Sequence, residues 1–307
     1  MIIIATAGVC LMTYGSCWAA AKVSVWLALS ETGGAHLEAA QALRAEVERV
    51  QPGRIDWRVA QWSEFTRPVP EPEWVVTVGT TAQRGMQDLF ARDATPPPML
   101  SMLVPFLAFE RMADPVRVRA RSISAVFVDQ PPERQMELVR LALPGIRNVG
   151  MLFSAEFKTL ASALDRAAAE RGLQLVALPV EPGGLFPALQ SLLPDVEVVL
   201  AQPDPLVFNS QTAGNILMAA YRRKVPLIGF SPAYVKAGAM LALYSTPAQI
   251  GRRGGELLNQ ALSGGLLSHP QGPREFTVSV NPDVARSLGF VLDEAQLGER
   301  LRQKDRP

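Results

Sequence analysis

Short apolar runs alternate with amphipathic stretches along most of this chain. Residues 36–49 illustrate the pattern, because Leu37, Leu43 and Val47 recur at helical spacing behind an apolar run at residues 22–29. The other strand-like runs of this first series lie at residues 55–60, 74–78 and 99–104, and its second helical stretch lies at 82–92. Strands that alternate with helices of about 10–15 residues predict parallel sheets with helices on their faces.

A second series of the same kind begins after residue 121. Its strand-like runs lie at 124–128, 148–153, 173–179, 196–201, 226–229 and 239–244, and its helical stretches at 132–143, 157–171 and 211–224. Two series are more than one open sheet comfortably holds, and the chain exceeds the usual size of a single core. The pattern predicts an α/β fold with two doubly wound parallel-sheet lobes. The charged tail at 297–307 is expected to fray.

The first 21 residues differ from the rest because they carry no charged side chain. An apolar run at 2–12 is followed by three alanines that end at Ala21, which is the layout of a secretory signal peptide cleaved after Ala21. A retained membrane anchor and a lipid anchor at Cys17 are the alternatives. The only cysteines, Cys10 and Cys17, lie in this segment. Cleavage would leave an exported chain, expected in the periplasm, without disulfides or thiol chemistry.

Charge and composition argue against several functions. The 30 basic residues are balanced by 29 acidic ones, so the chain lacks the basic excess that nucleic-acid binding requires. It has two histidines, and no nucleophile elbow, zinc-protease motif or phosphate-binding glycine loop occurs. No cluster of metal-ligating residues is evident. We therefore expect no catalysis, no cofactor and no metal.

The loops that follow parallel strands are where α/β proteins receive ligands. In the first series this rule selects Ser30, Glu31, Thr32, Gly79, Thr80 and Thr81. In the second it selects Ser154, Glu156, Gln202, Asp204, Phe230, Ser231 and Tyr234.

Each group has two interpretations. Gly79, Thr80 and Thr81 at a helix start either bind an anion or form a plain threonine N-cap. Asp204 either receives a ligand amine or caps the next helix. Phe230 and Tyr234, like the nearby Phe208, either stack on an apolar ligand or pack within the lobe.

Several segments resemble one family of proteins. They are residues 129–138 (DQPPERQMEL), 148–152 (NVGML), 203–204 (PD), 224–229 (KVPLIG), 235–239 (VKAGA), 251–255 (GRRGG) and 278–282 (VSVNP), with 79–83 (GTTAQ) at the first pocket loop. The chain resembles the substrate-binding proteins of ABC transporters, in the family that includes aromatic amino-acid binders and has the type 1 periplasmic-binding-protein fold. The resemblance spans nearly the whole chain after residue 21.

The resemblance implies two lobes joined by a three-crossover hinge. Crossovers are expected near 121–124, 244–246 and 276–280, which assigns 22–122 and 246–307 to lobe 1 and 123–245 to lobe 2. Two loops depart from the family pattern, since Val104 and Pro105 replace a polar turn and Ser231 and Pro232 replace an acidic position.

The resemblance also implies a function. We expect a monomeric, exported solute-binding protein that captures a small organic ligand by hinge closure and delivers it to an ABC permease. The alternative is a periplasmic accessory protein that keeps the fold without transporting a small molecule.

Overall fold

Two separate sheets form the framework of the protein. The structure is a computed structural model that describes residues 22–66 and 71–305, so the predicted signal peptide and Cys17 lie outside the described residues. The first sheet has the strand order β2-β1-β3-β4-β5, and the second has the order β11-β10-β9-β8-β6-β7. All pairings are parallel except that of β10 with β11. The predicted α/β fold with two parallel-sheet lobes is confirmed.

The first sheet is covered on both faces. Its strands are β1 (Val23–Leu29), β2 (Ile55–Gln61), β3 (Trp74–Val78), β4 (Met99–Val104) and β5 (Ile123–Phe127). Its helices are α1 (Gly34–Val50), α2 (Thr80–Leu89), α3 (Phe106–Met112), α4 (Pro115–Arg119) and α10 (Pro247–Gly264). Strands β3 and β5 are buried throughout. Burial on both faces explains their continuous apolar sequences.

The second sheet forms the other lobe. Its strands are β6 (Asn148–Phe153), β7 (Gln174–Pro179), β8 (Val198–Leu200), β9 (Leu227–Gly229), β10 (Leu241–Tyr244) and β11 (Thr277–Val280). Its helices are α5 (Pro132–Ala142), α6 (Lys158–Ala169), α7 (Leu185–Leu192), α8 (Ala213–Arg222), α9 (Pro232–Ala237), α11 (Pro282–Ser287) and α12 (Glu294–Lys304). Each face of the sheet buries its own apolar cluster.

The lobe boundaries differ from the predicted ones in two places. Strand β5 pairs with β4 in the first sheet, so the first crossover follows Phe127 instead of lying at 121–124. Residues 277–305 belong to the second lobe, because β11 pairs with β10 and Leu297 is buried in that lobe's core. Lobe 1 therefore comprises the described residues up to 127 together with α10 and the segment after it.

The third crossover runs along an open sheet edge. The backbone N–H of Phe127 donates to the carbonyl of Gln271, and the N–H of Gln271 donates to Ala125, both at 3.0 Å. The crossover thereby covers β5, which is the edge strand of the first sheet.

The described part of the C-terminal tail forms a helix up to Lys304, contrary to the expectation that it frays. Helix α12 is capped by Asp293, whose side chain accepts the N–H of Gln296 at 2.8 Å. Leu297 and Leu301 are buried against lobe 2. The apolar stripe was too sparse among charged residues to be recognised in the sequence. Across residues 22–66 and 71–305, no helix is both long enough and apolar enough to cross a membrane.

Candidate functional site

The topology of each sheet marks one point where a ligand crevice forms. In the first sheet the strand order reverses between β1 and β3, and in the second it reverses between β6 and β8. At such a point, the helices that follow the two strands leave on opposite faces, which opens a crevice at the carboxyl ends of the strands. Most of the predicted site residues lie at these two points.

Ser30 and Gly79 lie side by side at the switch point of lobe 1. The N–H of Ser30 donates to the carbonyl of Val78, and its Oγ accepts the N–H of Ala82, both at 2.9 Å. Gly79 has a φ of +92°, and a Cβ there would lie 2.5 Å from Ser30 Oγ and 2.6 Å from Nε2 of His36. Only glycine fits this position.

The other predicted residues of lobe 1 line the mouth of the same crevice. Glu31 and Thr32 are exposed, and Glu31 lies 3.9 Å from Nδ1 of His36. Helix α2 begins at Thr80 with Gly79 as its N-cap, and the capping side chain is that of Ser30, whose Oγ accepts the N–H of Ala82 in the first turn. The threonine N-cap interpretation is therefore wrong. Thr80 is half-buried and Thr81 is exposed.

Gln83 is a buried polar residue of this region whose side-chain amide makes no hydrogen bond within the described part of the chain. Its side chain is fully buried on the second turn of α2, and neither amide atom has a hydrogen-bond partner among the described residues. Buried amides without partners are rare in folded proteins. Sequence reasoning gave Gln83 no role, and its place within the segment 79–83 was the only available signal.

Asp204 serves the fold of lobe 2 at its switch point. Its side chain is 1% exposed, Oδ2 accepts the N–H of Ser154 at 2.6 Å, and Oδ1 accepts the N–H of Leu206 at 3.0 Å. Both carboxylate oxygens are thus bound to the backbone. The expected cap of the next helix is not formed, since α8 begins at Ala213 without a side-chain capping bond. Asp204 instead joins the loop after β6 to the turn that follows it.

The aromatic residues after β9 pack mainly on one another. The rings of Phe230 and Tyr234 lie 4.6 Å apart, and Phe208 meets both edge-on at 6.5 and 6.3 Å. Burial raises the pKa of Tyr234 to about 12. Phe230 is half-buried, and Ser231 occupies the N-cap position of α9 without a side-chain capping bond. Phe230 is the member of this group that faces a cavity.

A cavity of about 70 Å³ lies at the carboxyl ends of β8 and β9, beside the first crossover. Four polar residues line it, namely Asp129, Gln130, Gln135 and Gln202, together with Val128, Leu138, Leu200, Ala201, Pro203, Ile228, Gly229, Phe230 and Leu243. Gln202 was predicted, whereas Gln130 and Gln135 were missed.

Asp129 joins the first crossover to lobe 1. The sequence analysis gave it no place in the site, although it lies in the short segment between β5 and α5. Its Oδ2 accepts the backbone N–H of Phe106 at the start of α3, at 2.7 Å. Burial raises the pKa of Asp129, and the hydrogen bond from Phe106 opposes this effect.

The apolar loop that departs from the family pattern lies next to this contact. Leu103 has a φ of +52° where the pairing of β4 with β5 becomes irregular, and Pro105 then caps α3. The ring of Phe106 packs on Phe127 at 5.3 Å. Hydrophobic packing therefore occupies the place of the expected polar turn.

A buried hydrogen-bond network ties the three crossovers together. Nη1 of Arg134 donates to Oε1 of Gln130 at 2.8 Å and to the carbonyl of Pro273 at 3.0 Å. Nε2 of Gln130 donates to Oγ of Ser245 at 2.9 Å. Arg134 also pairs with Asp305 at 2.6 Å. Residues from the first, second and third crossovers thus share one polar cluster.

One ion pair joins the lobes away from the hinge. Arg111 on α3 contacts Glu156, which follows β6 in lobe 2, and both side chains are 57% exposed. The pair is an exposed contact between the two lobes, at the mouth of the crevice that they form. Within residues 22–66 and 71–305, no group of three His, Cys, Asp or Glu residues could hold a metal ion.

Comparison with known protein families gives one match. A model described as ABC transporter substrate binding protein matches residues 119–300, which is more than half of the chain. Among curated protein sequences no match to this chain was found.

Solved structures share the fold at low sequence identity. A ligand-free, open structure of a substrate binding protein with adhesive properties from Clostridium difficile superposes with a TM-score of 0.64 at 18% identity, covering 89% of this chain and 96% of the other. A conserved domain protein from Vibrio cholerae gives 0.58 at 20% identity, with 90% and 97% covered. An ABC domain from Streptococcus pneumonia in complex with L-Trp gives 0.57 at 15% identity, with 90% and 98% covered.

Proposed function

Because this chain belongs to the ABC transporter substrate binding protein family, we propose that it captures a small organic ligand between its two lobes and presents it to an ABC permease. In this role it is exported to the periplasm as a monomer, with a signal peptide removed after Ala21. It catalyses no reaction and needs no cofactor. The family match and the two-lobed fold support this proposal.

The observation that carries the proposal is the position of the cavity. One wall consists of the ends of β8 and β9, and the opposite wall includes Val128 and Asp129 of the first crossover. Any rotation of one lobe against the other must therefore change the walls of the cavity. A ligand that fits better when the lobes are closed shifts the molecule towards that state by its differential affinity.

The crevice of lobe 1 supplies the opposing surface. Ser30, Gly79 and Thr80 meet at its switch point, with His36 beside them and Thr32 and Thr81 at the exposed rim. Hydroxyl groups and a helix start suit polar groups of a ligand. We assign these residues to the first half of the binding site and Gln202 and Phe230 to the second.

Ligand-dependent thermal stabilisation tests this function. The purified protein is screened against amino acids, carboxylates, amines, polyols and nucleosides, and a ligand present at 100 times its Kd should stabilise it by about 2.7 kcal/mol. Small-angle scattering should then show a smaller radius of gyration with the ligand. A flat response across all classes would contradict the proposal.

The small volume of the cavity favours a second candidate. Ligand pockets usually have volumes of about 300–1,000 Å³, whereas this one has about 70 Å³. An accessory protein that keeps the fold and binds a partner protein would have such a cleft. Cross-linking in the periplasm distinguishes the two, because the accessory role requires a protein partner other than the permease.

A further inference from the structure

The hydrogen-bond network at the hinge fixes which atoms of its amides face the cavity. Arginine only donates hydrogen bonds, so the group of Gln130 that meets Nη1 of Arg134 must be its carbonyl oxygen. The amide nitrogen of Gln130 is then left to donate to Oγ of Ser245, whose proton goes to the carbonyl of Glu275 at 2.6 Å. One charged side chain thus sets the orientation of the first amide.

A second constraint, set by a backbone carbonyl, fixes two further amides at the wall of the cavity. Nε2 of Gln135 donates to the backbone carbonyl of Gln130 at 2.8 Å, which leaves Oε1 of Gln135 as an acceptor. Nε2 of Gln202 donates to that oxygen at 2.7 Å. The carbonyl oxygen of Gln202 is therefore left for the cavity, since a flipped amide would place two carbonyl oxygens against each other.

Asp129 adds a second acceptor and a negative charge. One carboxylate oxygen binds the N–H of Phe106, and no arginine, lysine or histidine is in ionic contact with the carboxylate among the described residues. The described residues that line the cavity include no basic side chain. A half-buried carboxylate without a cation is unfavourable, and a bound cation would relieve the cost.

These features together define the chemistry of a ligand. Resting on the function proposed above, we propose that this cavity binds the ammonium group of a short aliphatic amine, with Asp129 and Oε1 of Gln202 as its acceptors. An ammonium group has three N–H donors, which suits two converging acceptors. The apolar wall formed by Leu138, Ile228 and Phe230 contacts the alkyl chain.

The size of the cavity limits the length of that chain. One water needs about 10–15 Å³ of such space, so about 70 Å³ holds a ligand of about five heavy atoms. n-Butylamine has this size. A larger ligand would require the lobes to open further.

Binding of three molecules of similar size tests the proposal. Calorimetry with the full chain compares n-butylamine, 1-butanol and butyrate at the same pH and ionic strength. Binding of the amine with at least about tenfold higher affinity than the alcohol, and no binding of butyrate, is the expected result. Equal or tighter binding of butyrate would overturn the proposal, as would equal binding of the alcohol.

Two variants locate the site. Asp129→Asn keeps an oxygen that accepts the N–H of Phe106 but removes the charge, and it should weaken amine binding at least about 30-fold. The control, Asp114→Asn, alters a carboxylate that likewise accepts a backbone N–H at a helix start, that of Val116 in α4 at 2.8 Å. It should leave the affinity unchanged. Amine affinity that survives Asp129→Asn would place the ammonium elsewhere and overturn the proposal.

Gln135 is a positioning residue in this scheme, because both of its amide groups are already engaged, Nε2 with the backbone carbonyl of Gln130 and Oε1 with Nε2 of Gln202. Gln135→Met frees the amide of Gln202 to rotate, so it should narrow the preference for the amine over the alcohol while the protein keeps its unfolding temperature within a few degrees. An equal loss of affinity for n-butylamine and for 1-butanol would contradict the positioning role.

The outcomes separate this inference from the broader function. If the metabolite screen finds an anionic ligand while the amine fails, solute binding stands and the ammonium site is wrong. If no class of ligand binds, the solute-binding function itself fails, and the ammonium site fails with it.

Discussion

Asp204 and Asp129 show that the partners of a carboxylate decide its role. Sequence reasoning placed Asp204 in the site and gave Asp129 no place there. In the structure Asp204 uses both oxygens on backbone N–H groups, whereas Oδ2 of Asp129 accepts the N–H of Phe106. The group that binds Asp204 most closely, the N–H of Ser154, lies 50 residues away in the sequence. Spacing along the chain cannot report such a contact, so the sequence left both interpretations of Asp204 open.

The structural role of Asp204 predicts a loss of stability on truncation. Asp204→Ala leaves the buried N–H of Ser154 and that of Leu206 unpaired, so the free energy of unfolding should fall by about 2 kcal/mol or more. Urea denaturation measures this change in the free energy of unfolding. Asp293→Ala, which removes an exposed helix cap, should cost only about 1 kcal/mol. A stable Asp204→Ala protein that no longer binds a ligand would instead restore Asp204 to the binding site.

At the scale of elements, three glycines explain how α10 returns to lobe 1. The segment 251–255 lies within α10 and faces α1, where a Cβ on Gly251 would approach the carbonyl oxygen of Ala39 to 2.2 Å and one on Gly255 would lie 2.9 Å from that of Leu43. Gly254 faces Met102 of β4. In the sequence these glycines were noted only as part of the family resemblance, and the structure shows that they permit close contact between the helices.

Substitution of Gly251 tests that close contact. Alanine gains about 1 kcal/mol of helix propensity, but the clash with backbone requires the two helices to separate. Gly251→Ala should therefore lower the free energy of unfolding by about 1–3 kcal/mol. Gly214→Ala in α8 meets open space and should be neutral or stabilising. Equal effects of the two substitutions in urea denaturation would refute the packing role.

The sequence predicted elements better than it assigned them to lobes. Strand β5 was expected as the first strand of the second series, because its apolar run looks the same in either sheet, and only its pairing with β4 places it in lobe 1. Helix α12 was missed because few apolar residues, among them Leu297 and Leu301, anchor an otherwise charged segment. In both cases contacts between residues far apart in the sequence decide where the element packs. The local hydrophobic periodicity carries no information about such contacts.

At the scale of the whole molecule, two sets of polar contacts connect the lobes. One is the buried network at the crossovers, which form the hinge, and the other is the exposed ion pair at the mouth of the crevice. Arg134 holds together the three crossovers, where the backbone must bend when the lobes move. The pair Arg111–Glu156 joins α3 of lobe 1 to the loop after β6 of lobe 2, away from the crossovers. The hinge network is buried and the ion pair is exposed. Added salt should therefore weaken the exposed Arg111–Glu156 ion pair far more than the buried hydrogen-bond network around Arg134.

Charge reversal at the mouth tests whether the ion pair favours closure. Glu156→Lys places two cations across the crevice, and because an exposed pair contributes about 0.2–1 kcal/mol, ligand affinity should fall by at most about fivefold. The swap Arg111→Glu with Glu156→Lys should restore it. At 1 M salt, where the Debye length is about 3 Å, the variants should converge on the native affinity.

A matched pair elsewhere controls for general electrostatics. Arg286 and Asp283 form an ion pair within α11 that is more exposed than Arg111–Glu156 and belongs to lobe 2 alone. Asp283→Lys alters the net charge as Glu156→Lys does, but it crosses no gap between the lobes, so ligand affinity should not change. If ligand affinity fell by a similar factor in the two variants, the overall charge of the protein would explain the effect. A loss confined to Glu156→Lys, reversed by the swap and suppressed by salt, would make the Arg111–Glu156 contact part of the closing motion.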